Sequence, residues 1–220
     1  MLALLAATPW ATAADGRPQV AITLDDMALA AIPEARPGGA SRSILEALAK
    51  HGGLHAALFV VGKNADSPEG RAVVQEWSDR GHMIANHTWS HHVYNDAIAP
   101  ADFGADLLRC DALLRPFPGF RPYFRFPVLK EGKTRQRRDW MRAFLRDHGY
   151  RNGAVTIDAS DWYYDRRLRA RLEQEPGFDV NRFRAPYLEH IWDRATYYQG
   201  LALKVWTIPS ATPCCSISIC

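Results

Sequence analysis

Apolar and polar positions alternate between two periods along the chain. Short apolar runs rich in β-formers, bounded by turn residues, predict strands at Gln19–Leu24, His55–Val61, His82–Asn86, Tyr123–Phe126, Ala154–Asp158 and Leu201–Thr207. Between them lie segments with helical start and stop signals. Ser43-Ile44-Leu45-Glu46 reads as a capping box opening a helix to about Lys50, with Gly52 beyond it. Ser67-Pro68-Glu69 supplies an N-cap, a first-turn proline and an early acid for a helix ending before Gly81. Pro100 opens a helix through about Arg115, and Thr134 opens another to His148, with Gly149 placed as its C′ residue.

Strand-helix-strand repetition predicts parallel strands in one α/β domain, either closed as a barrel or open as a sheet. Candidate chemistry favours the barrel. Asp25, Asp26, His87, Arg125 and Asp158 all fall at or just past the C-terminal ends of predicted strands, the rim where parallel barrels gather their active sites. An open sheet would use the same edge at a switch point.

Two units carry the sharpest signal. Val20-Ala21-Ile22-Thr23-Leu24-Asp25-Asp26 ends an apolar run in adjacent carboxylates, and Asn86-His87-Thr88-Trp89-Ser90-His91 sets two histidines at i and i+4. On a helical turn that spacing would put both imidazoles on one side. One carboxylate and two imidazoles leave positions open on a catalytic divalent metal. Adjacent residues leaving a strand point in different directions, so the second carboxylate stays free to take a proton from water. Arg125 is a candidate guanidinium partner for that base. The competing structural account is that Asp25-Asp26 caps the next segment and His87 makes a core hydrogen bond.

The ordered units resemble the polysaccharide deacetylases, the chitooligosaccharide-deacetylase homology group of carbohydrate esterases. Thr23-Leu24-Asp25-Asp26 is similar to the family's T-F-D-D, with Leu for Phe, and His87-Thr88-Trp89-Ser90-His91 matches H-[ST]-x-x-H. Arg125-Phe126-Pro127-Val128 is similar to R-x-P-[YF], and Asp158-Ala159-Ser160-Asp161-Trp162 to D-[ST]-x-D-W. The resemblance implies a distorted, incomplete (β/α) barrel over residues 18–206. It implies Asp25 as catalytic base, with Asp26, His87 and His91 holding zinc or a similar divalent ion. Arg125 would orient Asp25, and Asp158 would tune an acid histidine. Pro127, Val128 and Trp162 would line the sugar pocket, the Val128 N–H serving as an oxyanion donor. The implied reaction is hydrolysis of N-acetyl groups on a chitin-like, peptidoglycan or poly-N-acetylglucosamine glycan, with release of acetate.

The family's fifth motif, L-x-L-H, supplies the acid for amine departure, and no such motif stands in this sequence. One permitted coding of Ser210–Cys220, read from its third base, gives Gly-His-Thr-Leu-Leu-Leu-His-Phe-Asn-Leu. Residues 207–220, with Cys214, Cys215 and Cys220, are therefore expected to be an out-of-frame tail, which would leave a barrel edge exposed. The corresponding alternative function is a catalytically impaired glycan-binding protein. His148 and His190 are the weaker substitutes for the acid.

Bulk properties trim the remaining options. The 220 residues are 47% hydrophobic and 23% charged, an ordinary globular composition. A net charge of +3 is spread over mixed-sign segments, and the basic stretches Lys133–Arg138 and Arg166–Arg171 contain or adjoin acids, so nucleic acid is excluded as a partner. Met1–Ala7 is short and apolar, and Ala11-Thr12-Ala13 fits a small-x-small cleavage site. Residues 1–14 are thus expected to be a signal-peptide remnant, with a secreted or periplasmic location. No run is long enough for stable membrane insertion. Oligomeric state is not legible.

Overall fold

The computed structural model describes residues 20–26, 39–205 and 215–219. The expected signal-peptide remnant at 1–14 lies outside them. Strands β1 (Val20–Asp25), β2 (Ala56–Val60), β3 (Met83–Asn86), β4 (Phe120–Phe124), β5 (Arg151–Asn152), β6 (Ile157–Asp158) and β7 (Cys215–Ile219) form one parallel sheet in the order β5-β4-β3-β2-β1-β7-β6. Helices α1 (Gly39–Lys50), α2 (Gly62–Ala65), α3 (Pro68–Asp79), α4 (Pro100–Leu114), α5 (Arg135–Asp147), α6 (Asp161–Gln174) and α7 (Asn181–Val205) connect or follow the strands. No described helix is long and apolar enough to cross a membrane.

The sheet must curl. β5 and β6 are its two ends, yet the chain passes from Asn152 to Ile157 directly. Five residues span at most about 18 Å. Seven flat strands would hold their outer members about 29 Å apart. The order and the short connection together require a rolled sheet with its ends brought towards each other, the distorted barrel expected from the sequence.

Strand alternation then divides the side chains. On β2 and β3, Ala57, Phe59 and Ala85 form a small buried cluster with Met83 and Tyr123, which fills the inside of the curl. Their neighbours Ala56, Leu58, Val60 and Ile84 join Leu45, Val74, Trp77 and Leu114 in the larger core under the helices. β2 is buried at every position, which explains its unbroken apolar run. A second core, including Phe103, Leu107, Phe124, Met141 and Tyr150, seats α4 and α5.

Several local expectations hold. The Ser67 hydroxyl accepts from the Gly70 N–H, with Pro68 as the first helical residue. Thr134 caps α5 through the Arg137 N–H, and Gly149 follows with φ +74. Others need correction. Ser43 lies inside α1, its Oγ donating back to the Gly39 carbonyl, so the helix starts four residues before the expected cap. Leu201–Val205 is the end of α7 rather than a strand. Leu, Ala and Lys are strong helix formers, and a short apolar run does not separate the two states. Of Ala154–Asp158 only Ile157–Asp158 is strand. β4 starts at Phe120 and contains Pro122, where the register with β3 slips between Ile84 and Asn86. A residue without an N–H is tolerated at such an irregularity.

The barrel edge expected to lie bare beside the tail is paired instead. Cys215–Ile219 pairs in parallel with both β1 and β6, so β1 is covered on both sides and the expected bare edge is filled. The sequence there alternates Ser and Ile, the period of a strand.

Candidate metal centre

The site is assembled at the C-terminal ends of β1, β3 and β4. On β1, Thr23 and Asp25 are two apart and share the inner face, and both are buried. Across the sheet, Asp25 registers with Phe59, and Phe59 with Ala85. Past the strand end, Asp26 adopts φ +51. Aspartate tolerates this left-handed conformation better than most residues. The turn leaves the Asp26 carboxylate partly exposed while Asp25 stays inside.

On β3, Asn86 faces the helices and His87 turns inward. Asn86 is fully buried and its amide is saturated: Nδ2 donates to the Leu107 carbonyl and to Tyr150 Oη, both at 3.0 Å, while Oδ1 accepts from the Thr88 N–H at 2.9 Å. Thr88 and His91 have φ of +65 and +58, and the Thr88 hydroxyl accepts from the His91 N–H. Asp106 on α4 clamps the middle of the loop, accepting from the backbone N–H groups of Trp89 and Ser90 and from the Ser90 hydroxyl. The two histidines therefore converge through a pinned loop, not through a helical turn as the i, i+4 spacing suggested.

His87 is 1% exposed, and its Nδ1 lies 2.8 Å from the Arg125 carbonyl oxygen. A carbonyl can only accept, so Nδ1 carries the proton and Nε2 presents its lone pair. That Nε2 lies 3.4 Å from Asp26 Oδ1, and His91 Nε2 lies 2.9 Å from Asp26 Oδ2. One ligand atom from each of Asp26, His87 and His91 lies within 4.8 Å of the others. Tetrahedral zinc sites with bonds near 2.1 Å place ligand atoms about 3.4 Å apart, inside this range. Asp26 Oδ1 and His91 Nε2 are both buried without a hydrogen-bond partner. Orphaned atoms of this kind are what a cation would satisfy, and the donor set of one oxygen and two imidazole nitrogens fits a divalent ion.

Electrostatics agrees. Burial acts to raise the Asp26 pKa, but the close contact with His91 and the potential of His87, His91 and Lys63 prevail, and the carboxyl sits below its ordinary value. Burial pushes the His87 pKa down, against the pull of Asp25 and Asp26. An anionic carboxylate and a neutral imidazole are the forms that bind metal.

Asp25 stands beside this cluster, its Oδ2 4.0 Å from His87 Nε2. Its other oxygen accepts from Arg125 Nη1. Arg125 follows β4 directly and is 1% exposed. Nη1 also donates to Thr23 Oγ1 at 2.9 Å, Nε donates to the Gly153 carbonyl at 2.8 Å, and the guanidinium lies 3.8 Å from the Phe59 ring centroid. The planar fork is thus fixed along both its edge and its face. Gly153 is required for this approach, because a Cβ there would stand 2.5 Å from the Phe59 ring.

The remaining sequence-derived candidates lie apart from the triad. Pro127 is buried and opens a single 3-10 turn, Pro127–Leu129, just after Phe126. Val128 is exposed with φ +48, and Leu129 follows at φ +57. Left-handed backbone at a β-branched residue is strained, and such strain concentrates at functional sites. Asp158 ends β6, is exposed, and accepts from the Ser160 N–H at 2.9 Å. It opens the turn into α6 and does not join the cluster. Trp162 is exposed on α6 with the Arg166 guanidinium over its ring. His148 ends α5, the opposite end of the unit from the strand tips, and its Nδ1 lies against the Phe144 carbonyl. His190 Nε2 lies 2.9 Å from the Ala159 carbonyl, next to the end of β6. Sequence reasoning missed Thr23, Phe59, Asn86, Asp106, Tyr150 and Gly153 as supports. Only Asn86, adjoining His87, and Thr23, opening the Thr23-Leu24-Asp25-Asp26 unit, carried a local signal.

The family model described as polysaccharide deacetylase matches residues 12–153. Among solved structures, the Bc1960 peptidoglycan N-acetylglucosamine deacetylase is similar at 18% identity and a TM-score of 0.57, over 91% of this chain and 70% of that one. The peptidoglycan deacetylase PdaC from Bacillus subtilis is similar at 18% identity and a TM-score of 0.55, over 92% and 74%. The chitin deacetylase from the fungal pathogen Colletotrichum lindemuthianum is similar at 22% identity and a TM-score of 0.52, over 67% and 60%. These likenesses show the fold. The matched region spans 60% of the length of a family 4 acetyl xylan esterase from Clostridium thermocellum. No match is found among curated proteins.

Proposed function

The chain belongs to the polysaccharide deacetylase family, and from that premise we propose that it is a metal-dependent hydrolase removing N-acetyl groups from the amino sugars of a glycan and releasing acetate. The observation that carries this reading is the pairing of a ligand triad, Asp26, His87 and His91, with a buried carboxylate left outside it and held by Arg125. Peptidoglycan and chitin deacetylases stand among the similar structures, which supports an N-acetylated glycan as the substrate class.

A divalent ion bound by the triad, zinc in our reading, supplies Lewis-acid polarisation of the acyl oxygen and lowers the pKa of a water. Asp25 takes the proton of the attacking water. Its Oδ1 is committed to Arg125, so Oδ2, on the side of His87, is the oxygen that receives it. The amide C–N bond breaks, acetate leaves with the water oxygen, and the amine departs with the proton that Asp25 took from the water, which returns Asp25 to its anionic form. Arg125 holds Asp25 in place, and the His87 bond to the Arg125 carbonyl ties the base and the metal ligands to one residue. The 3-10 turn at Pro127–Leu129 and Trp162 are the proposed sugar contacts, and Asp158 is proposed to tune a histidine, with His190, bound to the Ala159 carbonyl beside it, as the described candidate. A glycan substrate and the apolar N-terminal run support a secreted or periplasmic site of action.

Acetate release tests the proposal. The chain is incubated with N-acetylated oligosaccharides of chitin, peptidoglycan and poly-N-acetylglucosamine type, with zinc and after chelation. Release should need the metal and should vanish in Asp25→Asn. Oligosaccharide binding without acetate release under every metal condition would refute the hydrolase and leave the glycan-binding alternative.

A further inference from the structure

Outside the ligands and the base, one buried polar chain runs from the helix layer to the metal loop. Asp111 and Tyr150 are both buried, yet neither is explained by the chemistry at the rim. Tyr150 follows Gly149 at the end of α5, its N–H donating to the Leu145 carbonyl in a helix-terminating turn. Its hydroxyl lies 2.5 Å from Asp111 Oδ1 and 3.0 Å from Asn86 Nδ2. Asp111 is held in turn by Arg115, which donates Nε to Oδ2 and Nη2 to Oδ1, both at 2.9 Å.

The donor and acceptor roles along this chain are forced. The Asp111 carboxylate can only accept, so the Tyr150 proton points to it. Tyr150 Oη is then an acceptor towards Asn86. The Leu107 carbonyl is an acceptor as well, so both meet the Asn86 NH2 group, and Oδ1 is left for the Thr88 N–H. That bond fixes the left-handed Thr88 beside His87 and, through the Thr88 hydroxyl, the N–H of His91.

We propose that Tyr150 and Asp111 are positioning residues for the metal centre, fixing the Asn86 amide in the one orientation that shapes the His87–His91 loop. The inference rests on the metal-binding reading above and deepens it. α4 acts on the loop from two sides: Asp106 grips Trp89 and Ser90, while Leu107 and Asp111, one directly and one through Tyr150, set Asn86. Asp111→Asn would disturb the orientation without removing bulk, because an amide at 111 can donate to Tyr150 Oη and free its proton to point at Asn86.

Zinc affinity of the intact chain is measured by calorimetric titration for wild type, Tyr150→Phe, Asp111→Asn and the double variant. Exchange protection of the Thr88 amide and the His87 tautomer are followed by NMR without metal. Each single variant should weaken zinc binding about tenfold, the low end for groups supporting metal ligands. The double variant should be no weaker than the worse single, since both act through Asn86. Thr88 protection should fall in both. Leu48→Ala, a core truncation on α1, should lower the melting temperature while keeping wild-type affinity. Affinity within twofold of wild type in a folded Tyr150→Phe or Asp111→Asn, with Thr88 protection unchanged, would overturn the proposal. An equal loss of affinity in Leu48→Ala would also overturn it, by showing a general stability effect. Should wild type bind no divalent ion, the metal reading falls, and the Thr88 and His87 signals still decide whether the relay exists.

Discussion

Replacing Arg125 with methionine isolates what the guanidinium does for Asp25. Both groups are buried, at 1% and 4% exposure, and the pair carries the ion contact between β1 and β4. Without the cation, Asp25 is left as a buried carboxylate with no opposite charge on that oxygen, a defect of about 3–5 kcal/mol. A chain of this size loses about 2–4 °C of melting temperature per kcal/mol, so the expected drop is about 6–20 °C. Arg125→Lys keeps a charge but gives up the Nε bond to Gly153 and the flat contact with Phe59, and should cost about 1.5–3 kcal/mol. The deciding measurement is a double-mutant cycle with Asp25→Asn, read by urea denaturation in the presence of a chelator so that metal binding does not enter. Neutralising Asp25 first should recover part of the Arg125→Met loss, giving a coupling of about 0.5–3 kcal/mol. Additive losses, or an Arg125→Met chain within about 1 kcal/mol of wild type, would mean that Arg125 does not stabilise Asp25.

Three further outcomes follow from the same geometry. Zinc at a hundred times its dissociation constant should stabilise the folded chain by about 2.7 kcal/mol, and His91→Ala should abolish that shift in a thermal melt. Gly153→Ala should displace Phe59, loosen Arg125 and lower acetate release with a smaller effect on substrate KM, which steady-state kinetics checks. Acid should destabilise the fold through His82, whose pKa is held down by burial, with repulsion from His55 and Arg80, and whose Nδ1 accepts the Ala56 N–H. Below the unfolded value of about 6.5 the unfolded chain binds more protons than the folded one, so this contribution is present above that pH and lost as pH falls through the folded pKa. Urea midpoints at pH 7.5 and 5.5 should therefore diverge more for wild type than for His82→Gln, and equal divergence would contradict the assignment.

The strands that carry the site were legible before any coordinates because their signals are local. An apolar run closed by Asp25-Asp26, a Pro-opened helix at Ser67-Pro68 and a Gly149 stop each depend on neighbours in the chain. Where two local readings competed, contacts elsewhere decided. Leu201–Val205 continued α7, and the tail pattern became β7 because β1 offered it an edge. The i, i+4 spacing of His87 and His91 picked out two side chains that the fold does bring together, but by another geometry, since the loop is shaped by Asn86 and Asp106 rather than by helical hydrogen bonds.

What the sequence determined by itself was the inventory: the order of elements, the strand ends, and which carboxylates and imidazoles stand there. Tertiary structure alone decided the relations among them. Thr23, Phe59 and Gly153 come from separate parts of the chain to surround Arg125, and Tyr150 reaches Asn86 across sixty-four positions. Burial and hydrogen-bond polarity are properties of that assembled interior. A residue's spacing to its sequence neighbours cannot encode which distant carbonyl will accept its proton.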